Sequence, residues 1–333
     1  MQAELERVAE ETGFSGVAVI DHGSDRLANV VKGLAHRGYE RPIEVGTRFG
    51  LASVTKGFTA LTVASLIEAG KVELTTTLTE IVGPALTIDP GVTIEHLLGH
   101  TSGVGDYADE ETLNHVDDHV LSGFSAHRFE RPHHYLPLLN QYPHLTPPGT
   151  RFVYNNSGYV MLALAAERVG GKTFPQLVNE RVFNPAAMTG AGFPRSDDLG
   201  PEAAIGYLEN GRSNVFHLPV IGSGDGGAYA TADDLTSFWQ AVSDGRIISS
   251  DMVETLTAVR QILSVEQRQY GLGFWLAADG HIVMLEGMDA GVSCQTALDR
   301  RTGLICSILS NTSDGAWPLF ARMHQFMEEL TQR

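Results

Sequence analysis

The chain has 333 residues, 43% hydrophobic and 19% charged, with 23 Lys and Arg against 40 Asp and Glu, a net charge of −17. That length provides core for two domains or one large one, and the acidic balance argues against nucleic acid or an anionic membrane surface as partner. No apolar run reaches the roughly 20 residues of a spanning helix. The N-terminus has neither the basic nor the apolar region of a signal peptide. As written, the chain reads as cytoplasmic, or as periplasmic or extracellular if a leader precedes it.

Residues 4–12 set Leu5, Val8 and Ala9 among glutamates and predict a short amphipathic helix. Residues 16–21 predict a strand, 22–25 a turn and 27–35 a second strand, together a hairpin. From 55 to 69 the apolar residues Phe58, Leu61, Val63, Ala64, Leu66 and Ile67 leave no polar face, which predicts a buried helix closed by Gly70. A short capped helix is expected over 91–98, running into His100-Thr101-Ser102-Gly103. Residues 104–150 are the least regular and carry His115, His119, His127, His133, His134 and His144. Helices follow over 157–169, 174–183 and, with Thr231 as N-cap, up to 242. From Tyr270 the period changes to that of strands, over 272–276, 282–285, 292–298 and 304–309, and residues 316–330 close the chain as a helix.

This layout predicts a mixed α/β (α+β) fold. The N-terminal hairpin pairs with the C-terminal meander in one antiparallel sheet covered by the terminal helices. Residues 1–58 and 266–333 form that discontinuous sheet domain, and 59–265 a mainly helical domain with an irregular segment at 104–150. The helix that starts at Ser53 lies on the seam, a favoured place for a site. Cys294 and Cys306 fall in strand-like runs and are expected to be buried free thiols.

Ser53 stands three residues before Lys56, a spacing that stacks both side chains on one helix face. A serine hydroxyl is a weak nucleophile until a base takes its proton, and a desolvated lysine one turn away can be that base. Spacing alone does not identify a site, because a surface Ser and Lys can share a face by chance. The flanks add what it lacks.

Ser53-Val54-Thr55-Lys56 resembles the Ser-x-x-Lys motif of the serine β-lactamase and penicillin-binding-protein superfamily. Tyr154-Asn155-Asn156 is similar to the Tyr-x-Asn motif of its class C β-lactamase-like branch. That branch also includes D-alanyl-D-alanine carboxypeptidases, D-aminopeptidases and esterases. The stretches 93–103, 148–159, 226–235 and 270–274 resemble the same branch in order and spacing, over roughly residues 14 to 330. The resemblance implies Ser53 as acylated nucleophile, Lys56 as its base, Tyr154 as a second proton shuttle and Asn156 as a substrate-orienting residue in contact with Lys56.

One motif departs. Where the family usually has Lys-Thr-Gly or His-x-Gly, this chain has Leu285-Glu286-Gly287. Gly287 is kept, so the N–H of Met288 is expected to complete an oxyanion hole with that of Ser53. Leu285 replaces the cation that normally meets a substrate carboxylate. Loss of one charge-assisted hydrogen bond costs on the order of 1.5–3 kcal/mol, which disfavours β-lactams and C-terminal D-alanine and favours neutral esters or amides. Glu286 and Asp289 add charge that attracts an amine, although Glu286 points away if Leu285 points in. On this reading Leu285→His restores carboxylate-bearing substrates.

His115 and His119 make half of a zinc site at most, and the remaining histidines of the segment are expected as loop residues walling the site. No cofactor and no metal are implied. The expected function is a serine hydrolase acting through an acyl-enzyme on a small-molecule or short-peptide ester or amide. The alternatives are a D-Ala-D-Ala carboxypeptidase or D-aminopeptidase, a weak β-lactamase, and a catalytically silent penicillin-binding-like protein.

Overall fold

The computed structural model describes residues 1–108, 116–118, 124–263 and 268–331. Helix α1 (Gln2–Glu11) leads into the hairpin β1 (Gly16–His22) and β2 (Asp25–Lys32), followed by the short strands β3 (Leu34–His36), β4 (Arg41–Pro42) and β5 (Phe49–Gly50). A 3₁₀ turn, Ala52–Val54, runs directly into α2 (Thr55–Glu68). The helical middle then supplies α3 (Leu78–Val82), α4 (Ile94–Leu98), α5 (Leu136–Leu139), α6 (Asn156–Gly170) and α7 (Phe174–Val178). After β6 (Tyr229–Ala230) come α8 (Ala232–Ser243) and α9 (Ser250–Thr257). The strands β7 (Gln261–Leu263), β8 (Arg268–Tyr270), β9 (Trp275–Ala277), β10 (Ile282–Asp289), β11 (Val292–Asp299) and β12 (Leu304–Ser310) follow, and α10 (Trp317–Thr331) ends the chain.

Eight strands form one antiparallel sheet in the order β2-β1-β12-β11-β10-β9-β8-β7, so the two ends of the chain meet at β1 and β12. The C-terminal run of strands starts with β7 at Gln261, upstream of the boundary expected at 266, because β7 pairs with β8. Alternate residues serve opposite faces. Val17 and Val19 pack with α2 and α8, whereas Ala18 and Ile20 pack with α1 and α10. Both faces are therefore covered, and the central strands read as continuous apolar runs rather than alternating ones. Cys294 and Cys306 are free and buried on opposite faces of the sheet.

Helix α2 is buried on every side from Thr55 to Ala64 and ends with Gly70 in the left-handed region, as its composition requires. It is fastened to the loop before β6 by Thr59 Oγ1, which donates to the Gly224 carbonyl at 2.7 Å, and by the Ala228 N–H, which donates to Thr55 Oγ1 at 3.1 Å. Those bonds fix where the start of α2 faces residues 224–228. Among the described residues no helix is long and apolar enough to cross a membrane.

Candidate active site

Ser53 sits in the 3₁₀ turn, not in the α-helix itself, and the residue before it, Ala52, is held at φ +44°. A non-glycine residue in the left-handed region is strained and persists where the surroundings over-determine it. Lys56, one turn further, is 2% exposed. Its Nζ donates to Ser53 Oγ at 2.8 Å, to Asn156 Oδ1 at 2.7 Å and to the Asp225 carbonyl at 2.8 Å. Burying an amine is costly unless its N–H groups find acceptors, and these three meet that requirement while holding Nζ against the serine.

Asn156 opens α6, and its amide is oriented from behind. Nδ2 donates to the Ala108 carbonyl at 2.9 Å, which turns Oδ1 toward Lys56. Asp106 receives the first turn of the helix: the N–H groups of Asn156 and Ser157 donate to its carboxylate at 2.8 and 2.9 Å, and Ser157 Oγ at 3.0 Å. Tyr154 precedes the helix, with Lys56 Nζ 4.9 Å from its ring centroid and Trp275 stacked beyond it at 6.1 Å.

His100 fixes Tyr154. Its backbone carbonyl accepts from the Val153 N–H at 2.9 Å and its Nδ1 from the Asn155 N–H at 3.1 Å, so Tyr154 is clamped on both sides. The imidazole is enclosed by Phe152, Tyr154, Tyr159 and Tyr270. Burial, reinforced by the Lys56 charge, holds its pKa well below the usual histidine range, so the ring is neutral and accepts at Nδ1.

On the opposite wall, β10 passes the 3₁₀ turn so closely that a Cβ on Gly287 would stand 2.3 Å from the Leu51 carbonyl oxygen and 2.7 Å from the Ser53 nitrogen. Among the described residues β9 pairs with β10 at Val283 and Met284, so from Gly287 onward β10 has no strand partner on that edge. Met288 lines the cavity and is 42% exposed. Leu285 does not line it. The side chain is 2% exposed and packs on Gly57, one helical turn below Ser53. Glu286 faces the other side of the sheet, where Arg268 donates to it at 2.6 Å.

The cavity holds about 230 Å³ and runs from Ser53 and Asn156 to Tyr107, Tyr135 and Asp225. Sequence reasoning missed Asp106, Asp225, His100, Tyr107 and Tyr135. The only signal was the Thr-Ser-Gly stretch that follows His100. The expected histidine wall is not there: His127, His133, His134 and His144 do not line the cavity, whereas His217 does. His115 and His119 lie outside the described residues. No group of three metal-ligating side chains occurs among the described residues.

The family model described as Beta-lactamase matches residues 1–324. The penicillin-binding protein of Bacillus halodurans, known from its crystal structure, is 35% identical and superposes with a TM-score of 0.90 over 97% of this chain and 99% of its own. A penicillin-binding protein of Bacillus subtilis is 28% identical over 94% of this chain and 72% of the relative. Esterase EstB of Burkholderia gladioli is 28% identical over 82% of this chain and 77% of its own.

Proposed function

The chain belongs to the Beta-lactamase family, and from that premise we propose that it is a serine hydrolase that cleaves a small ester or amide through an acyl-enzyme. The observation that carries this reading is the 2.8 Å contact between Lys56 Nζ and Ser53 Oγ, made by an amine that is buried and held from two further directions.

Ser53 Oγ attacks the carbonyl carbon while Lys56, in its neutral form, takes the hydroxyl proton. The carbonyl oxygen becomes an oxyanion that rests on the N–H groups of Ser53 and Met288. Its collapse breaks the bond to the leaving alcohol or amine, which receives a proton by way of Tyr154. Water then attacks the acyl-serine, and Ser53 recovers its proton as the acid leaves. Asn156 orients the substrate and holds Lys56 Nζ in place. The cavity of about 230 Å³ lies below the ~300–1,000 Å³ of sites that enclose drug-sized ligands, which supports a small acyl group. No Lys or Arg lines it among the described residues, which disfavours substrates that carry a carboxylate.

The test compares p-nitrophenyl butyrate, a cephalosporin and a D-Ala-D-Ala peptide, together with a fluorophosphonate probe read by intact mass. The ester is turned over fastest, and one probe adduct forms that disappears in Ser53→Ala. No turnover of any substrate with no adduct, or an adduct that survives Ser53→Ala, sinks the proposal and favours a silent binding protein.

A further inference from the structure

The wall of the cavity is chemically one-sided. Asp225, Asp289 and Asp314 line it, no Lys or Arg does among the described residues, and Lys56 is already committed to Ser53, Asn156 and the Asp225 carbonyl. Glu286 does not contribute, because Arg268 covers it on the other face of the sheet. Acidity alone does not make a site, but Tyr135 supplies an independent sign of a missing partner. Its side chain is 1% exposed, it lines this cavity, and its hydroxyl has no hydrogen-bond partner among the described residues. A buried hydroxyl without a partner costs about 1–3 kcal/mol, and this one lies within the field of Asp225 and Asp289.

Asp225 occupies the key position. Tyr107 donates its hydroxyl to one carboxylate oxygen, and two hydrogen bonds of 2.8 Å through Lys56 Nζ connect the Asp225 backbone carbonyl to Ser53 Oγ. The carboxylate therefore hangs from a backbone locked to the reacting centre, in a pocket with an unused acceptor at Tyr135 Oη. A neutral acyl group would leave Tyr135 Oη without a partner and add nothing to the Tyr107 bond on Asp225. A primary ammonium has three donors and a charge, and it satisfies both.

We infer that the cavity beside Ser53 binds a primary ammonium of the substrate, so that the acyl group taken is an amino acid with a free amine, with the Asp225 carboxylate as counter-ion and the Tyr135 hydroxyl as acceptor. Asp289, at the cavity wall, strengthens the field. The inference rests on the hydrolase reading for its kinetic consequence, but not for its binding consequence, and the experiment separates the two.

In a pH-stat assay, alanine methyl ester, as either enantiomer, is compared with methyl isobutyrate, which replaces the ammonium by a methyl group. The kcat/KM of one alanine enantiomer exceeds that of the isostere by about tenfold or more, the size of a charge-assisted contact. Asp225→Asn brings the ratio close to one. Tyr135→Phe, which deletes a single oxygen, lowers it about three- to tenfold. In parallel, Ser53→Ala protein is titrated calorimetrically with alaninamide and isobutyramide. Alaninamide binds about tenfold tighter, and the difference vanishes in Ser53→Ala/Asp225→Asn. Equal binding of the two amides, or a preference that survives Asp225→Asn, overturns the ammonium site. Esters that are all inert while the binding preference holds overturn the hydrolase reading and leave the ammonium site standing.

Discussion

Gly287→Ala tests the architecture of the site more directly than removal of any catalytic side chain, because it adds one methyl group and deletes nothing. Gly287 does not adopt a positive φ, so backbone strain is not the issue and only space decides. The added Cβ would meet the Leu51 carbonyl oxygen at 2.3 Å, the Ser53 nitrogen at 2.7 Å and the Val54 nitrogen at 3.0 Å. All three are backbone atoms of the segment that presents Ser53, and no rotamer can relieve them. Restoring ordinary contact moves β10 away from the 3₁₀ turn by about 1 Å, a displacement that costs on the order of 10²-fold in rate when it falls on reacting groups. The proposed oxyanion donors, the N–H groups of Ser53 and Met288, lie on the two sides of that gap, and losing one such donor costs about 10²–10³ in kcat. Overpacking itself destabilises by about 1–3 kcal/mol. The assay is kcat on p-nitrophenyl butyrate and the rate of fluorophosphonate labelling, with thermal melting alongside. Gly46→Ala, at a site with nothing within 4 Å, serves as the control and stays within about 0.5 kcal/mol of the parent. A Gly287→Ala enzyme that melts lower yet keeps kcat within about threefold of the parent would refute the placement of the oxyanion hole, since the strand would have moved without consequence.

Three further substitutions probe the surroundings. His100→Phe keeps a ring of similar bulk but removes the Nδ1 that accepts from the Asn155 N–H. It leaves a buried donor unsatisfied at about 1–3 kcal/mol and lowers kcat more than it raises KM, because it loosens Tyr154 and not the cavity. The same histidine gives stability a pH dependence. Its folded pKa lies below the unfolded value of 6.5, so its contribution is complete above 6.5 and is lost as pH falls from there, with a slope approaching about 1.4 kcal/mol per pH unit. Melting curves of His100→Phe lack that component. Asp225 has the opposite sign: burial, against the opposing Lys56 charge and Tyr107 hydrogen bond, raises its pKa above 3.8. Its proton is therefore held more tightly in the folded state, and stability is lost as pH rises from 3.8 through the folded value. Asp225→Asn is expected to melt higher at neutral pH while losing the preference for ammonium substrates, and a lower melting temperature there argues that the carboxylate is structural. Leu285→His buries an imidazole against Gly57 and costs about 1–3 kcal/mol with no gain on carboxylate-bearing substrates, against the expectation drawn from the motif. A rise in cephalosporin turnover would show that the side chain reaches the cleft.

That last reversal shows what a sequence can and cannot carry. Strand parity put Leu285 and Gly287 on the same face of β10, and they are on it. Depth was not legible. Two residues along a strand advance about 6.6 Å and four along a helix about 6 Å, so β10 and the start of α2 keep step: Gly287 abuts Ser53, and Leu285 abuts Gly57 one turn further into the core. A motif matched by position names the strand that reaches the site but not which of its side chains stops short of it, and leucine is shorter than the lysine of the family motif. The local features fared better because their geometry is set by a few bonds. The Ser53–Lys56 spacing becomes a 2.8 Å contact through one helical turn, and Asn156 opens its helix two residues after Tyr154, with Asn155 between them as the N-cap. Asp106 and Asp225 lie in irregular segments and Tyr135 in a short 3₁₀ turn, with no period to read; the Asn156 and Ser157 N–H groups hold Asp106, and the Lys56 side chain holds the Asp225 carbonyl. The contact between Ser53 and Lys56 was therefore readable from one stretch of chain. The groups proposed here to choose the substrate came into view only once the fold had placed three separate loops around that pair.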